Sequence, residues 1–159
     1  MHSASLYCIR HHTFNPGVDI RRLLEHLCDM DILSVFGIRG RPKEVHQLED
    51  ALSALGLHPK RVPDSVKLAV VKLMKEAEGG AMANTEASCA LAAPLLAYCM
   101  LGSDGYKTAN GTGETAAAEA RLRHAIETGK SLDARLAMLT LLARVINPDV
   151  VERFELELE

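Results

Sequence analysis

The stretch that most constrains the fold is residues 84–101, which are apolar on nearly every side of a helical wheel. A helix of this kind is enclosed by other helices, because a surface helix carries only one apolar stripe. Pro94 lies within the stretch, and its ring clashes with the carbonyl of Ala90, so we expect a kink or a break there. The apolar run 87–101 is also shorter than the roughly 20 residues that span a bilayer. The stretch therefore predicts a central, buried helix.

Amphipathic segments on both sides supply the helices that would enclose it. Apolar residues recur at helical spacing in five further segments, which are 15–29, 43–55, 64–78, 114–128 and 132–146. Gly56 and Gly79 stand where two of these helices should end. Leu136 and Leu139 lie on an inward stripe, whereas Lys67 is expected to face the solvent.

Composition favours the same fold class. The chain of 159 residues has no Trp, three Phe and three Tyr, and is rich in Ala and Leu, which favours close helix packing over a β-sandwich. We therefore predict a mainly α protein, a single-domain helical bundle of about six or seven helices over residues 1–159.

The C-terminal segment 147–159 fits two structures. Asn147 and Pro148 form a good helix start, because asparagine caps helices and proline is tolerated in the first turn. Phe154, Leu156 and Leu158 alternate with glutamates, which is typical of a strand. Helix is the preferred interpretation, and it points Leu156 away from the core. In either case, we expect this apolar tail to pack on its own core or on another subunit.

A strand at the C-terminus would change the fold class. The alternative fold is α+β, with a helical C-terminal half and a small sheet from segments near 5–10, 31–38, 57–62 and 152–158.

Residues 102–113 are rich in Gly, Ser, Asp, Thr and Asn, and they predict a mobile loop. The glycines resemble those of a phosphate-binding loop, but Tyr106 stands before Lys107 where GxxxxGK requires glycine. Free N–H groups at the start of the next helix, with Thr112 as its cap, can still hold an anion. Lys107, Thr108 and Thr112 are therefore candidate anion-binding residues.

Cysteine and histidine occur close together near the N-terminus, at Cys8, His11 and His12. Thiolate and imidazole groups bind zinc, so these three residues are candidate metal ligands, although their spacing does not supply a complete set of four. The three other cysteines have no CxxC spacing and are expected to be reduced and packed. No cofactor is favoured.

The most basic part of the sequence flanks the segment 43–55. It consists of Arg39, Arg41, Lys43, Lys60 and Arg61. The two groups lie at opposite ends of one predicted helix, about 20 Å apart by helix rise, and need not form one patch. A net charge of −3 gives no general attraction to nucleic acid, and no nucleic-acid-binding motif is evident. A nucleic-acid-binding regulator that uses the loops 39–43 and 58–61 is therefore a minor hypothesis.

No catalytic signature such as GxSxG or HExxH occurs, so enzyme activity is neither supported nor excluded. The leading hypothesis is a helical protein-interaction or regulatory module that self-associates or binds another protein. The alternative is a small enzyme or ligand-binding domain with a pocket between helices. The N-terminus lacks the pattern of a secretory signal, which predicts a cytoplasmic protein without membrane association.

Overall fold

The computed structural model describes residues 42–157, and 78% of these are helical. The described part contains six α-helices and a short 3₁₀ helix: α1 (Lys43–Ala54), the 3₁₀ helix (Pro59–Arg61), α2 (Asp64–Ala77), α3 (Thr85–Asn110), α4 (Thr112–Thr128), α5 (Leu132–Leu142) and α6 (Pro148–Phe154). No strand occurs within 42–157. The predicted mainly α bundle is confirmed.

The α+β alternative fails where the structure can be read. Segment 57–62 contains the 3₁₀ helix, and segment 152–158 begins inside α6. Segments 5–10 and 31–38, like the predicted helix 15–29, lie outside the described residues.

The central helix is α3, as the sequence predicts. It packs against α1, α4, α5 and α6, and its residues Leu95, Leu96 and Tyr98 are fully buried. Leu136 and Leu139 of α5 join the same core, with 0% and 1% of their surface exposed. Each such side chain contributes roughly 1.5–3 kcal/mol by leaving water. The bundle is therefore held together around α3.

The same helix is long and apolar enough to cross a membrane, judged by length and composition alone. Core helices also meet that criterion, and 56% of its most apolar window is buried inside the protein. This feature is weak evidence for a membrane span, and the absence of membrane association stays a prediction.

The break in α3 falls at Gly102 and not at Pro94. Gly102 has φ 76° and ψ 175°, the non-helical conformation within this element, and this region of φ/ψ space is essentially confined to glycine. Pro94 lies in helical backbone. A break at Pro94, one of the two expected outcomes, is therefore wrong, whereas a kink there stays a prediction.

The predicted loop at 102–113 is also wrong, because helical backbone resumes directly after the break and continues to Asn110. The polar side chains of this segment bond to helix carbonyls. Thr108 Oγ1 donates to the carbonyl of Asp104 at 2.8 Å, and Asn110 Nδ2 donates to the carbonyls of Leu55 and Tyr106 at 3.0 and 3.1 Å. The polar residues of segment 102–113 therefore belong to a capped surface helix and not to a loop.

Helix α6 supplies the hydrogen bonds that α3 loses at its break. The backbone N–H of Asn147 donates to the carbonyl of Cys99 at 2.7 Å, and Asn147 Nδ2 donates to the carbonyl of Leu101 at 3.1 Å. The N–H of Ser103 donates to Asp149 Oδ2 at 3.2 Å. Backbone groups that a broken helix leaves unpaired are thus satisfied by the C-terminal segment.

The C-terminal segment is a helix, as preferred, and packs on its own core. Asn147 caps α6, its side chain accepting from the N–H of Asp149, and Val150 is fully buried. Leu156 is also buried, at 6% exposure, so the expectation that a helix would point it outward is wrong. The reason is Glu155, whose φ of 50° ends the helix and turns the chain back toward the core.

Candidate protein-binding groove between α1 and α3

The surface between α1 and α3 is formed where two exposed helix faces meet. On α3, Glu86, Ala87, Ala90 and Leu91 are exposed, and at about 100° per residue they cover an arc of about 140°. Leu91 is 67% exposed, and no other large apolar side chain within 42–157 is exposed to this degree. Half of this helix therefore packs in the core while this arc faces outward.

Between the two helices lies a cavity of about 490 Å³. Among the described residues it is lined by Gln47, Asp50 and Ala51 from α1 and by Glu86 and Ala90 from α3. We call this site the α1–α3 groove. Its position follows from the patterns of the two helices, because the opposite face of α1 carries the buried Val45, Leu48 and Leu52.

The groove carries negative charge that no cation of the described part neutralises. Asp50 and Glu86 have no ion-pair partner within residues 42–157. Four other carboxylates of the bundle pair with a cation: Glu44 with Lys75, Glu76 with Arg135, Asp133 with Arg121, and Glu119 with Arg153. The side-chain oxygen of Gln47 is buried and accepts no hydrogen bond, which costs about 1–3 kcal/mol. The groove therefore offers two carboxylates that have no cation beside them within 42–157.

A second cleft, of about 620 Å³, lies between the end of α1, the 3₁₀ helix and the start of α2. Lys67 lines it and is only 2% exposed, so the expectation that it faces the solvent is wrong. Its ammonium donates to Glu49 Oε1 at 2.7 Å and to Asp64 Oδ1 at 3.1 Å. A buried ammonium needs such partners, because desolvation of a lone charge is costly. This cleft is thus built around an ion-paired lysine.

Three of the predicted basic residues are described, and they lie at the two ends of α1. Lys43 begins α1, whereas Lys60 and Arg61 follow its end, and all three are exposed. Arg39 and Arg41 lie outside the described residues. Because α1 separates the two groups along its length, binding of nucleic acid through them stays a prediction.

The candidate anion-binding residues Lys107, Thr108 and Thr112 are all exposed. Thr112 does not cap α4, because Gly111 holds the capping position and no side chain bonds to the first turn. The hydroxyl of Thr108 donates within its own helix. The predicted capping role of Thr112 is wrong, and anion binding stays a prediction.

The candidate zinc ligands Cys8, His11 and His12 lie outside the described residues. Within 42–157, no three His, Cys, Asp or Glu side chains are grouped as metal ligands. Cys89 and Cys99 are free and buried, as expected. Burial raises the pKa of Cys89 to about 11 and that of Cys99 to about 12. Both thiols are therefore protonated and poorly nucleophilic near neutral pH.

Sequence patterns missed a polar cluster centred on Glu119 of α4. Its Oε1 accepts from the hydroxyls of Tyr98 and Ser103 at 3.1 and 3.0 Å and from Arg153 Nη1 at 3.0 Å. The pKa of Tyr98 is raised above its usual range, mainly because the side chain is buried and secondly because the negative Glu119 carboxylate is nearby. The cluster joins α3, α4 and α6 through satisfied hydrogen bonds, which indicates a structural role.

Comparisons with known proteins return no relative of this chain. No protein-family model matches it, and neither a curated protein nor a solved structure matches it.

Proposed function

We propose that this chain is a helical protein-interaction module that binds another protein in the α1–α3 groove. The observation that carries the proposal is the groove itself, with Asp50 and Glu86 exposed and unpaired within 42–157. The same outward arc of α3 carries Leu91, which is 67% exposed. Unpaired charge and exposed apolar surface are features that a protein partner can pair with and cover.

A different protein is favoured over a second copy of the chain. The apolar tail that suggested self-association packs on its own core, where Val150 and Leu156 are buried. A symmetric pair of grooves would also bring the Asp50 and Glu86 carboxylates of two copies together, and like charges repel. The partner therefore approaches through a surface of another kind.

Site-specific photocrosslinking in the organism of origin tests the proposal. The photoreactive residue p-benzoylphenylalanine replaces Ala90 in the groove or, as a matched control, the exposed Ala116 of α4. We expect an adduct of one defined protein from position 90 and none from position 116, with its mass distinguishing another protein from a second copy. No adduct from position 90, or the same adducts from both positions, would overturn the proposal.

A further inference from the structure

The two rim carboxylates of the α1–α3 groove stand on different helices and face one cavity. Asp50 comes from α1 and Glu86 from α3, both are exposed, and neither has a cationic partner within 42–157. Some carboxylates elsewhere in the bundle, such as Glu76, have an arginine beside them, whereas the exposed Glu114 and Glu127 of α4 have no ion-pair partner within 42–157. A binding surface with this charge selects partners that bring positive charge, and it repels acidic ones.

The walls of the groove suit a helical segment. Ala51 and Ala90 have short side chains that let a third helix approach α1 and α3 closely, at the interaxial distance of about 8–10 Å typical of packed helices. An amphipathic helix binds such a groove through apolar residues at positions i, i+3, i+4 and i+7.

Lysine and arginine side chains supply the positive charge that pairs with the two carboxylates, and they do so on long stems that reach past an apolar contact.

From these features we infer that the partner segment is a basic amphipathic helix, whose apolar stripe contacts Ala51 and Ala90 and whose Lys or Arg side chains pair with Asp50 and Glu86. This inference rests on the proposed function, since it names the chemistry of the partner that the same groove binds.

Fluorescence anisotropy with two labelled peptides tests it. Each peptide has about 18 residues, long enough to be helical when bound, with leucines at helical spacing. One carries lysine at the remaining positions and the other carries glutamate. We expect the lysine peptide to bind the full chain and the glutamate peptide not to bind, and we expect added salt to weaken the binding.

A pair of charge-reversed variants locates the binding. The double variant Asp50→Lys with Glu86→Lys should bind the lysine peptide about tenfold more weakly, because two attractive contacts become repulsive. The matched control is Glu114→Lys with Glu127→Lys, two exposed positions on α4 that change the net charge equally. We expect that control to change the affinity less than about twofold, and thermal melting of both variants checks that they fold.

The outcomes separate the partner class from the proposed function. Equal or tighter binding of the glutamate peptide, equal weakening by both pairs of variants, or no binding of the lysine peptide would overturn the basic helix as the partner. Each of these results leaves crosslinking from position 90 to decide whether the groove binds a protein. Failure of that crosslinking overturns the proposed function whatever the peptides do.

Discussion

Replacing Gly102 with alanine tests how α6 is held on the break in α3. Gly102 has φ 76° and ψ 175°, and a Cβ there would lie 2.8 Å from Asn147 Cγ and 2.9 Å from Asn147 Nδ2. Alanine therefore both strains the backbone and displaces the side chain that donates to the carbonyl of Leu101. Gly111 is the matched control, since its φ of 90° and ψ of 172° fall in the same region and its Cβ would meet nothing within 4 Å.

The expected difference in stability follows from the effects that the two alanine substitutions have in common and from those that only Gly102→Ala has. A non-glycine residue in this conformation costs about 1–3 kcal/mol, and alanine regains roughly 0.4–1 kcal/mol by restricting the unfolded chain. Both contributions apply to Gly102→Ala and to Gly111→Ala. Only Gly102→Ala loses the Asn147 hydrogen bond, at about 0.5–1.5 kcal/mol, and overpacks the contact. We therefore expect Gly102→Ala to cost about 1–3 kcal/mol more than Gly111→Ala.

Urea denaturation of both variants, followed by circular dichroism, measures this difference. In an Asn147→Ala background the two glycine substitutions should differ by much less, because the displaced side chain is already absent. The coupling free energy between positions 102 and 147 should therefore be about 1–3 kcal/mol. If the two substitutions lower the free energy of unfolding equally in the wild-type background, within about 0.5 kcal/mol, the reasoning that the Asn147 side chain occupies the space beside Gly102 is refuted.

Three further predictions concern the core and the C-terminal segment. Leu136→Ala should cost roughly 2–5 kcal/mol in a denaturant titration, whereas Leu91→Ala should cost less than about 0.5 kcal/mol because its side chain is exposed; similar losses would show that the assignment of buried and exposed faces is wrong. Leu156→Asp should cost about 2 kcal/mol or more, since it buries a charge in place of an apolar contact, and an unchanged melting temperature would contradict this. Cys99 should resist maleimide at pH 8 until the chain is unfolded in urea, because a pKa of about 12 leaves roughly one thiol in ten thousand ionised; labelling of the folded protein at the rate of the unfolded one would show that the thiol is accessible.

Features that depend on neighbours along the chain could be predicted from the sequence. The spacing of apolar residues indicates the central helix and the inward position of Leu136 and Leu139. Gly56 ends α1, and Asn147 caps α6, as predicted. Each of these depends on residues within one or two helical turns, so the signal is present in the sequence itself.

The tertiary structure decided the features whose partners are far apart in sequence. The helical segment 103–110 starts with a cap from Asp149, whose carboxylate accepts from the N–H of Ser103. No local pattern predicts this cap, because Asp149 is 46 residues away. Lys67 is buried because Glu49 of α1, 18 residues away, accepts from its ammonium, which a helical wheel of α2 alone cannot show. Leu156 is buried because the chain turns at Glu155 onto a core that is built from distant helices.

The candidate site is also a feature that only the tertiary structure decided. In the sequence, Asp50 and Glu86 are two acidic residues on the polar faces of separate helices, a pattern that ordinarily indicates a solvated surface. They become the rim of one groove only when α1 packs against α3 and aligns the two exposed faces. The helices were determined locally by periodicity and caps, whereas the groove exists because the packing of two buried faces fixes where their opposite faces meet.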